Sequence, residues 1–354
     1  MCSWYPNRLE PFNGDFIQRH AEAISKFEDI HVIHLVRDKE GAITRNVFQE
    51  EISRKNFSET IIYYYVHPWP IWGKVVSWIR YRFLFKKALR QHFNKNGFPG
   101  LVHVHVGMPA GIIALWIQRK WKIPYVLTEH WSGFLENAKE KFSQLSFYTR
   151  LAWKKVAGKA ASVSFVSDNL LKSYLKIIPV ANAIIIPNVV NTDLFKPGNY
   201  RVSEKQFIHI SGMDENKNTR LIIEAFGILQ KKIPEAKLVM IGATKNTDPL
   251  VMQKASSVNN IEILPEMPQQ ELVKHLHQSL ALILYSGYET FGCVVIEANA
   301  CGVPVIVSDI PVFHETVNEG VNGYFAKPAN AASLAERMED IIRNRTDFNS
   351  QSVS

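Results

Sequence analysis

The chain has 354 residues, 46% hydrophobic and 21% charged, with a net charge of +8. That length calls for two domains rather than one core, and the balance is that of an ordinary globular protein, which excludes disordered, collagen-like and disulfide-stapled classes. No run reaches the roughly 18 apolar residues of a spanning helix, no apolar leader opens the chain, and Cys2, Cys293 and Cys301 form no CxxC pair; a reduced, cytoplasmic compartment is expected.

Charge is spread unevenly. Residues 1–190 hold 26 Lys and Arg against 14 Asp and Glu, a net +12, and residues 191–354 hold 15 against 19, a net −4, which together give the +8 of the chain. The two halves therefore face different partners.

An α/β domain opens with a buried strand, and MCSWY before Pro6 leaves no room for one. The first strand is expected to be missing or cut to a remnant. Asn13-Gly14-Asp15 reads as a tight turn into a helix over 15–27, where Gly14 permits positive φ and close backbone approach. Strands are expected at 30–36 and 60–66, and His67-Pro68-Trp69-Pro70 ends the second.

Residues 71–95 have the most unusual composition. Lys74, Arg80, Arg82, Lys86, Lys87, Arg90 and Lys95 occur there with no acidic residue, interleaved with Trp72, Trp78, Tyr81, Phe83, Phe85 and Phe93. Val75, Ile79 and Phe83 recur at helical spacing, so that stripe is expected to face the core. Two readings compete: a solvated basic helix with one buried stripe, and a basic, aromatic helix lying on an anionic membrane surface. The second is preferred because tryptophan and phenylalanine are costly to leave in water. Trp78, Arg82, Lys86, Lys87 and Arg90 are its candidate contacts. No nucleic-acid motif accompanies the helix, so nucleic acid is not an expected partner.

Residues 101–106 form a strand with His103 and His105 on one face. They read as packed or strand-end histidines, because no third ligand stands at metal spacing. A helix follows from about 109 to 120, then a strand at 124–128 that ends on Glu129-His130-Trp131. A histidine just past a strand's carboxyl end is placed for chemistry, and a satisfied loop histidine is an equal alternative. A helix over 142–157, a strand at 162–167, a helix at 168–176 and a strand at 183–186 complete this half. The Pro-, Asn- and Gly-rich stretch 188–204 is the expected linker, between domains 1–187 and 205–354.

The second half opens with a strand at 206–211 and a polar loop, GMDENKNT at 212–219. Lys217 in that loop is either a solvated lysine or a phosphate partner. Helices at 220–231, 248–257 and 269–278 alternate with strands at 237–241 and 261–264. Then comes the densest stretch. A strand at 280–284 leads to Glu289, Thr290, Phe291 and Gly292, an apolar turn of helix, Glu297 and a strand at 303–307. This is a βαβ unit whose helix start suits a phosphate through free backbone N–H groups. Glu297, a turn and a half further on, can accept from sugar hydroxyls. A short strand at 324–326, a helix over 332–343 and a polar tail from 346 end the chain.

Several segments resemble the family 4 glycosyltransferases: TEHWSGF at 128–134, IIPNVVNTDLFKP at 185–197, GMDENKN at 212–218, YETFGCVVIEANACGVPVIVSD at 288–309 and HETVNEGVNGYF at 314–325. One Glu-x7-Glu pair occurs often by chance, but all five in order are specific. The resemblance implies the α/β GT-B fold, two Rossmann-like domains facing a central cleft. It implies a retaining, metal-independent transfer of sugar from a nucleotide-diphosphate sugar to a hydroxyl, with no cofactor. Carried over, Glu289 contacts the transferred sugar, Glu297 the ribose, and the amides around Thr290, Phe291 and Gly292 the diphosphate. Lys217 neutralises the leaving phosphates, His130 lies over the reacting sugar on the acceptor side, and Gly14 allows close approach in the first loop.

The chain departs from the family pattern at three places. Met213 stands where an arginine usually joins the lysine, Pro311-Val312 replaces a glycine pair before Glu315, and the first strand and the C-terminal crossing helices are shortened. With the basic helix, the expectation is a cytoplasmic enzyme, peripheral on the inner face of the membrane, that uses a lipid-linked or membrane-proximal acceptor in glycan, polysaccharide or glycolipid synthesis. A catalytically weak nucleotide-sugar-binding homologue or partner subunit is the alternative. A dinucleotide oxidoreductase is disfavoured, because no GxGxxG follows a strand.

Overall fold

Runs of β-branched and aromatic residues become parallel strands, and the amphipathic stretches between them become covering helices. The computed structural model describes residues 1–67, 69, 72–198, 205–344 and 353. Its contacts divide the chain into two units, Met1–Val189 and Val190–Ser354.

The first unit holds two sheets. In one, β1 (Ile30–Asp38) pairs parallel with β3 (Phe57–Tyr65), and β2 (Val47–Arg54) pairs antiparallel on the outside of β3. β2 is absent from the sequence-based expectation because nearly every residue in it is exposed, so no buried face marks it. The other sheet is wholly parallel: β4 (Val102–His105), β5 (Tyr125–Glu129), β6 (Ser162–Phe165) and β7 (Ala183–Ile185). The opening residues form one isolated parallel bridge, Cys2 with His105, and no strand. Helices α1 (Asp15–Ile24), α2 (Gly73–Asn96), α3 (Ala110–Trp121), α4 (Phe147–Ala157) and α5 (Asp168–Leu175) complete the unit.

Two expectations here are corrected. The stretch 142–157 is not one helix: a 3-10 turn, Phe142–Gln144, is separated from α4, whose start is set by Ser146 accepting from the Thr149 N–H. The Val75, Ile79 and Phe83 stripe does not face the core; those residues are 47%, 61% and 64% exposed. The buried face of α2 is instead Ser77, Tyr81, Leu84, Phe85, Ala88, Leu89 and Phe93. Both stripes recur at helical spacing, and only the neighbouring elements decide which one is covered.

The second unit is a single parallel sheet of six strands in the order β10-β9-β8-β11-β12-β13. These are β8 (Gln206–Ile210), β9 (Lys237–Ala243), β10 (Ile261–Pro265), β11 (Ala281–Leu284), β12 (Val305–Ser308) and β13 (Gly323–Ala326). Strand order reverses direction between β8 and β11, the kind of point where ligands bind in open α/β sheets. The helices are α6 (Thr219–Gln230), α7 (Pro249–Ser256), α8 (Gln269–His277), α9 (Cys293–Ala300) and α10 (Ala331–Arg343). Successive strand residues alternate between two apolar clusters, as both faces being covered requires. Phe207, Leu238 and Ile283 join one cluster and Ile208, Val239 and Leu282 the other. Phe313 lies in a 3-10 turn, Pro311–Glu315. The C-terminal part of the expected linker, 199–204, and almost all of the polar tail lie outside the described residues. No described helix is long and apolar enough to cross a membrane.

Candidate active site

The second unit builds a charged site at the switch point. The loop after β8 and the loop after β11 meet there. Asn216 joins them like a piece of strand: its Nδ2 donates to Tyr288 O at 2.9 Å and its Oδ1 accepts from Tyr288 N at 3.0 Å. Gly287 N donates to Asn216 O at 2.8 Å, and Asn218 Nδ2 to Tyr285 O at 3.0 Å. These bonds bring Lys217 and Glu289 together. Lys217 Nζ donates to Glu289 Oε1 at 2.5 Å, and Ser286 Oγ donates to the same oxygen at 2.8 Å. Burial alone would lower the Lys217 pKa, but the Glu289 charge and hydrogen bond, with Asp214 behind, outweigh it and hold the ammonium above its ordinary value.

Gly292 follows at the N-cap of α9 with φ 85°, a left-handed conformation suited to glycine. A Cβ there would stand 2.7 Å from the Phe313 ring. Thr290, Phe291 and Gly292 thus sit at the opening of α9, where helix amides favour anions. Glu297, on α9, is buried.

Met213 does not stand at this site as a cation's substitute. Its side chain is buried in the apolar cluster with Phe207 and Ile223, and its N–H donates to Ser211 Oγ at 3.0 Å. Ser211 Oγ in turn bonds His209 Nε2 at 2.7 Å, while His209 Nδ1 bonds Ile283 O at 2.8 Å. Burial pushes the His209 pKa down to about 4. Asn216, Asn218, Ser286 and His209 were not singled out from the sequence. Asn, Ser and His in loops are too common to stand out; the lone signal was their crowding around Lys217 and Glu289.

The first unit builds a buried, histidine-rich site at the end of β5. Glu129 is fully buried and organises it: Oε1 accepts from His130 N at 3.0 Å and Trp131 N at 3.1 Å, and Oε2 from Trp153 Nε1 at 3.2 Å and Gly107 N at 3.3 Å. Burial lifts its pKa to about 7, against those four donors. Sequence reading assigned Glu129 no role of its own. His130 Nε2 lies 3.1 Å from His105 Nδ1, and the His130 ring packs against Phe16 at 4.8 Å and His20 at 5.9 Å. His105 stacks on His103, whose Nε2 is 2.7 Å from Thr128 Oγ1. His20 Nε2 is 3.0 Å from Asn188 Oδ1. Burial, reinforced by the neighbouring histidines, holds His105 and His130 well below the ordinary imidazole range, and His103 down to about 3. The row is therefore neutral. His130 Nδ1 is buried without a hydrogen-bond partner among the described residues.

Gly14, at φ 70°, caps α1, and a Cβ there would meet the backbone of Trp4 and Tyr5 at 2.9 Å. The close approach expected of Gly14 is to the chain's own first turn. No group of three or more His, Cys, Asp or Glu among the described residues is placed to hold a metal ion.

On α2, Arg82 lies over the Trp78 ring at 5.7 Å and Lys86 over the Trp116 ring at 4.5 Å. Lys87 and Arg90 are exposed. Burial first, then Arg82, Arg90 and Lys120, lower the Lys86 pKa, the sign of a crowded positive patch.

Two family descriptions match the chain in tandem: "Glycosyltransferase Family 4" over residues 16–194 and "Glycosyl transferases group 1" over residues 190–352. A provisionally named sucrose-phosphate synthase of Thermosipho melanesiensis is 31% identical over 247 residues, 63% of this chain and 58% of that protein, so the match spans less than two thirds of that relative. A provisionally named teichuronic acid biosynthesis glycosyltransferase, TuaC, of Bacillus subtilis is 25% identical over 365 residues, 95% of this chain and 86% of that protein. The solved sucrose-phosphate synthase of Thermosynechococcus elongatus superposes with a TM-score of 0.73 at 18% identity, covering 95% of this chain and 84% of that one.

Proposed function

The chain belongs to glycosyltransferase family 4 and has its GT-B fold of two Rossmann-like units, and from that premise we propose that it transfers a sugar from a nucleotide-diphosphate sugar to a hydroxyl with retention. The observation that carries this is the Lys217–Glu289 pair at the opening of α9. A diphosphate at the helix amides meets the Lys217 ammonium, which stabilises negative charge as the sugar–phosphate bond breaks. Glu289 is then released to hold the sugar hydroxyls, and Glu297 takes the ribose. The acceptor oxygen bonds to the anomeric carbon on the face the phosphate leaves. Its proton passes to the departing phosphate oxygen, and a nucleoside diphosphate is the second product. His130, kept neutral, offers a directed hydrogen bond to a sugar hydroxyl rather than a charge.

Thermal stabilisation by UDP, GDP and ADP and their sugars tests the donor, and product formation with the stabilising sugar tests transfer. One nucleotide should raise Tm, and Glu297→Ala should shrink that rise. Unchanged stabilisation in Glu297→Ala removes its ribose role, and nucleotide binding without turnover favours the weak-homologue alternative.

The finer setting is a membrane surface, in glycan, polysaccharide or glycolipid synthesis. Its support is the outer face of α2, where exposed Val75, Ile79 and Phe83 run into Arg82, Lys86, Lys87 and Arg90. An apolar strip beside crowded cations fits anionic headgroups and the acyl boundary beneath them. Charge reversal at Lys86, Lys87 and Arg90 should release the protein from phosphatidylglycerol vesicles at physiological salt; persistent binding rejects this setting.

A further inference from the structure

The first unit holds a second feature, apart from the Lys217–Glu289 pair and the His130 strand end. A cavity of about 450 Å³ opens between the 3-10 turn Ser132–Phe134, the turn Phe142–Gln144 and α4. Its floor is apolar: Phe134 and Phe142 are buried and stacked with ring centroids 5.2 Å apart. Its α4 wall presents Phe147 and Leu151, 65% and 55% exposed. The volume is that of a small-molecule site, and large apolar side chains left in water around a concavity mark a surface for an apolar occupant.

Charge narrows the choice. Lys141, Arg150 and Lys154 line the cavity against a single carboxylate, Glu136. None of the three cations forms an ion pair among the described residues. Arg150 Nε is buried without a hydrogen-bond partner among the described residues, and its guanidinium lines the cavity. A neutral free sugar has no use for three cations without an ion-pair partner. A bare phosphate has no use for Phe147 and Leu151. Both features are used together by an amphiphile with a hydrocarbon tail and an anionic head.

We propose that this cavity binds the hydrocarbon chain of an anionic single-chain lipid, with its head group on Lys141, Arg150 and Lys154. It is tied to the His130 strand end through α4 and the turn before it. Trp153 of α4 donates to Glu129, and Trp131 stacks on Trp153 at 5.0 Å. The site deepens the transfer proposal, on which this last step rests: it makes a lipid the carrier of the acceptor hydroxyl.

The test is calorimetric titration of the full chain with decyl phosphate below its micelle concentration, beside decanol and inorganic phosphate. Decyl phosphate should bind saturably at one site, at least tenfold tighter than either control. Leu151→Asp and the pair Arg150→Gln with Lys154→Gln should each weaken it at least tenfold, with Tm and nucleotide stabilisation unchanged. Ile79→Asp with Phe83→Asp on α2 should leave it intact, which separates this cavity from the membrane helix. Equal binding of decanol, or wild-type affinity in Leu151→Asp, overturns the proposal. Failure of nucleotide binding with decyl phosphate binding intact instead overturns the transfer reading.

Discussion

The loop around Lys217 and Glu289 is held by a pair of charges, whereas the strand end around His130 keeps its histidines neutral. In the second unit, an ammonium and a carboxylate neutralise each other at the mouth of a helix. In the first, burial presses His103, His105 and His130 into the neutral form and lifts Glu129 to about 7. On the proposed function, the difference matches two tasks in one transfer. A diphosphate must be held by charge as it departs, while a hydroxyl must be aimed, and direction is supplied better by neutral groups of fixed orientation.

The comparison breaks most readily at Lys217. Lys217→Ala should lower turnover by about 10²–10³-fold, the usual result of losing one preorganised partner of developing charge. A fall of less than tenfold, measured with saturating donor, would deny the second unit its charged role. Met213→Arg asks whether the charged half accepts another cation. Because Met213 lies within an apolar cluster, the substitution should destabilise the protein by about 3 kcal/mol in urea unfolding rather than raise turnover. An unchanged midpoint with faster transfer would mean that the guanidinium reaches the phosphates after all.

Acid sharpens the contrast next. A buried histidine with a depressed folded pKa refuses a proton that the unfolded chain accepts, so its contribution to stability is lost as pH falls below the ordinary 6.5. For His103 that loss continues towards about 3 and for His31 and His34 towards about 4, at up to about 1.4 kcal/mol per pH unit for each such proton. Glu129 acts with the opposite sign between 4.5 and about 7, where only the folded state holds its proton. The first unit carries seven depressed histidines, His20, His31, His34, His92, His103, His105 and His130, and the second carries His209. Amide exchange followed by mass spectrometry should show protection lost first in residues 1–189 as pH falls from 7 to 5. Equal loss in both units would remove the distinction. The smallest effect is expected at Gly14, where an added Cβ meets backbone at 2.9 Å and φ is positive. Gly14→Ala should cost about 1–2 kcal/mol and leave nucleotide affinity unchanged.

The parallel strands and the βαβ unit around Gly292 were legible because their signals are local: short apolar runs between Gly, Pro and Asn. β2 was not, because an exposed edge strand paired through its main chain needs no apolar face. The outward stripe of α2 was misassigned because Val75, Ile79 and Phe83 share their period with the buried Tyr81, Leu84 and Ala88, and period cannot say which stripe meets a neighbour. The break at Leu145 had a readable sign in Ser146 and Thr149, spaced as an N-cap and its partner. Lys217, Glu289 and His130 were singled out from the sequence, and the structure pairs Lys217 with Glu289. The lock made by Asn216, and the bonds of Glu129 to Gly107 and Trp153, were not legible there, since those contacts join residues 72 apart in one case and 22 or 24 in the other.

Asn216 also sets a rule for anyone who would redesign the proposed donor site. Its side-chain amide locks the loop after β8 to the loop after β11 through paired bonds to Tyr288, so the two loops form one interchangeable cassette. A chimera that imports residues 212–218 from a relative without 285–292, or the reverse, would sever that lock and misplace Lys217 against Glu289. Loops exchanged as a pair would carry their geometry with them.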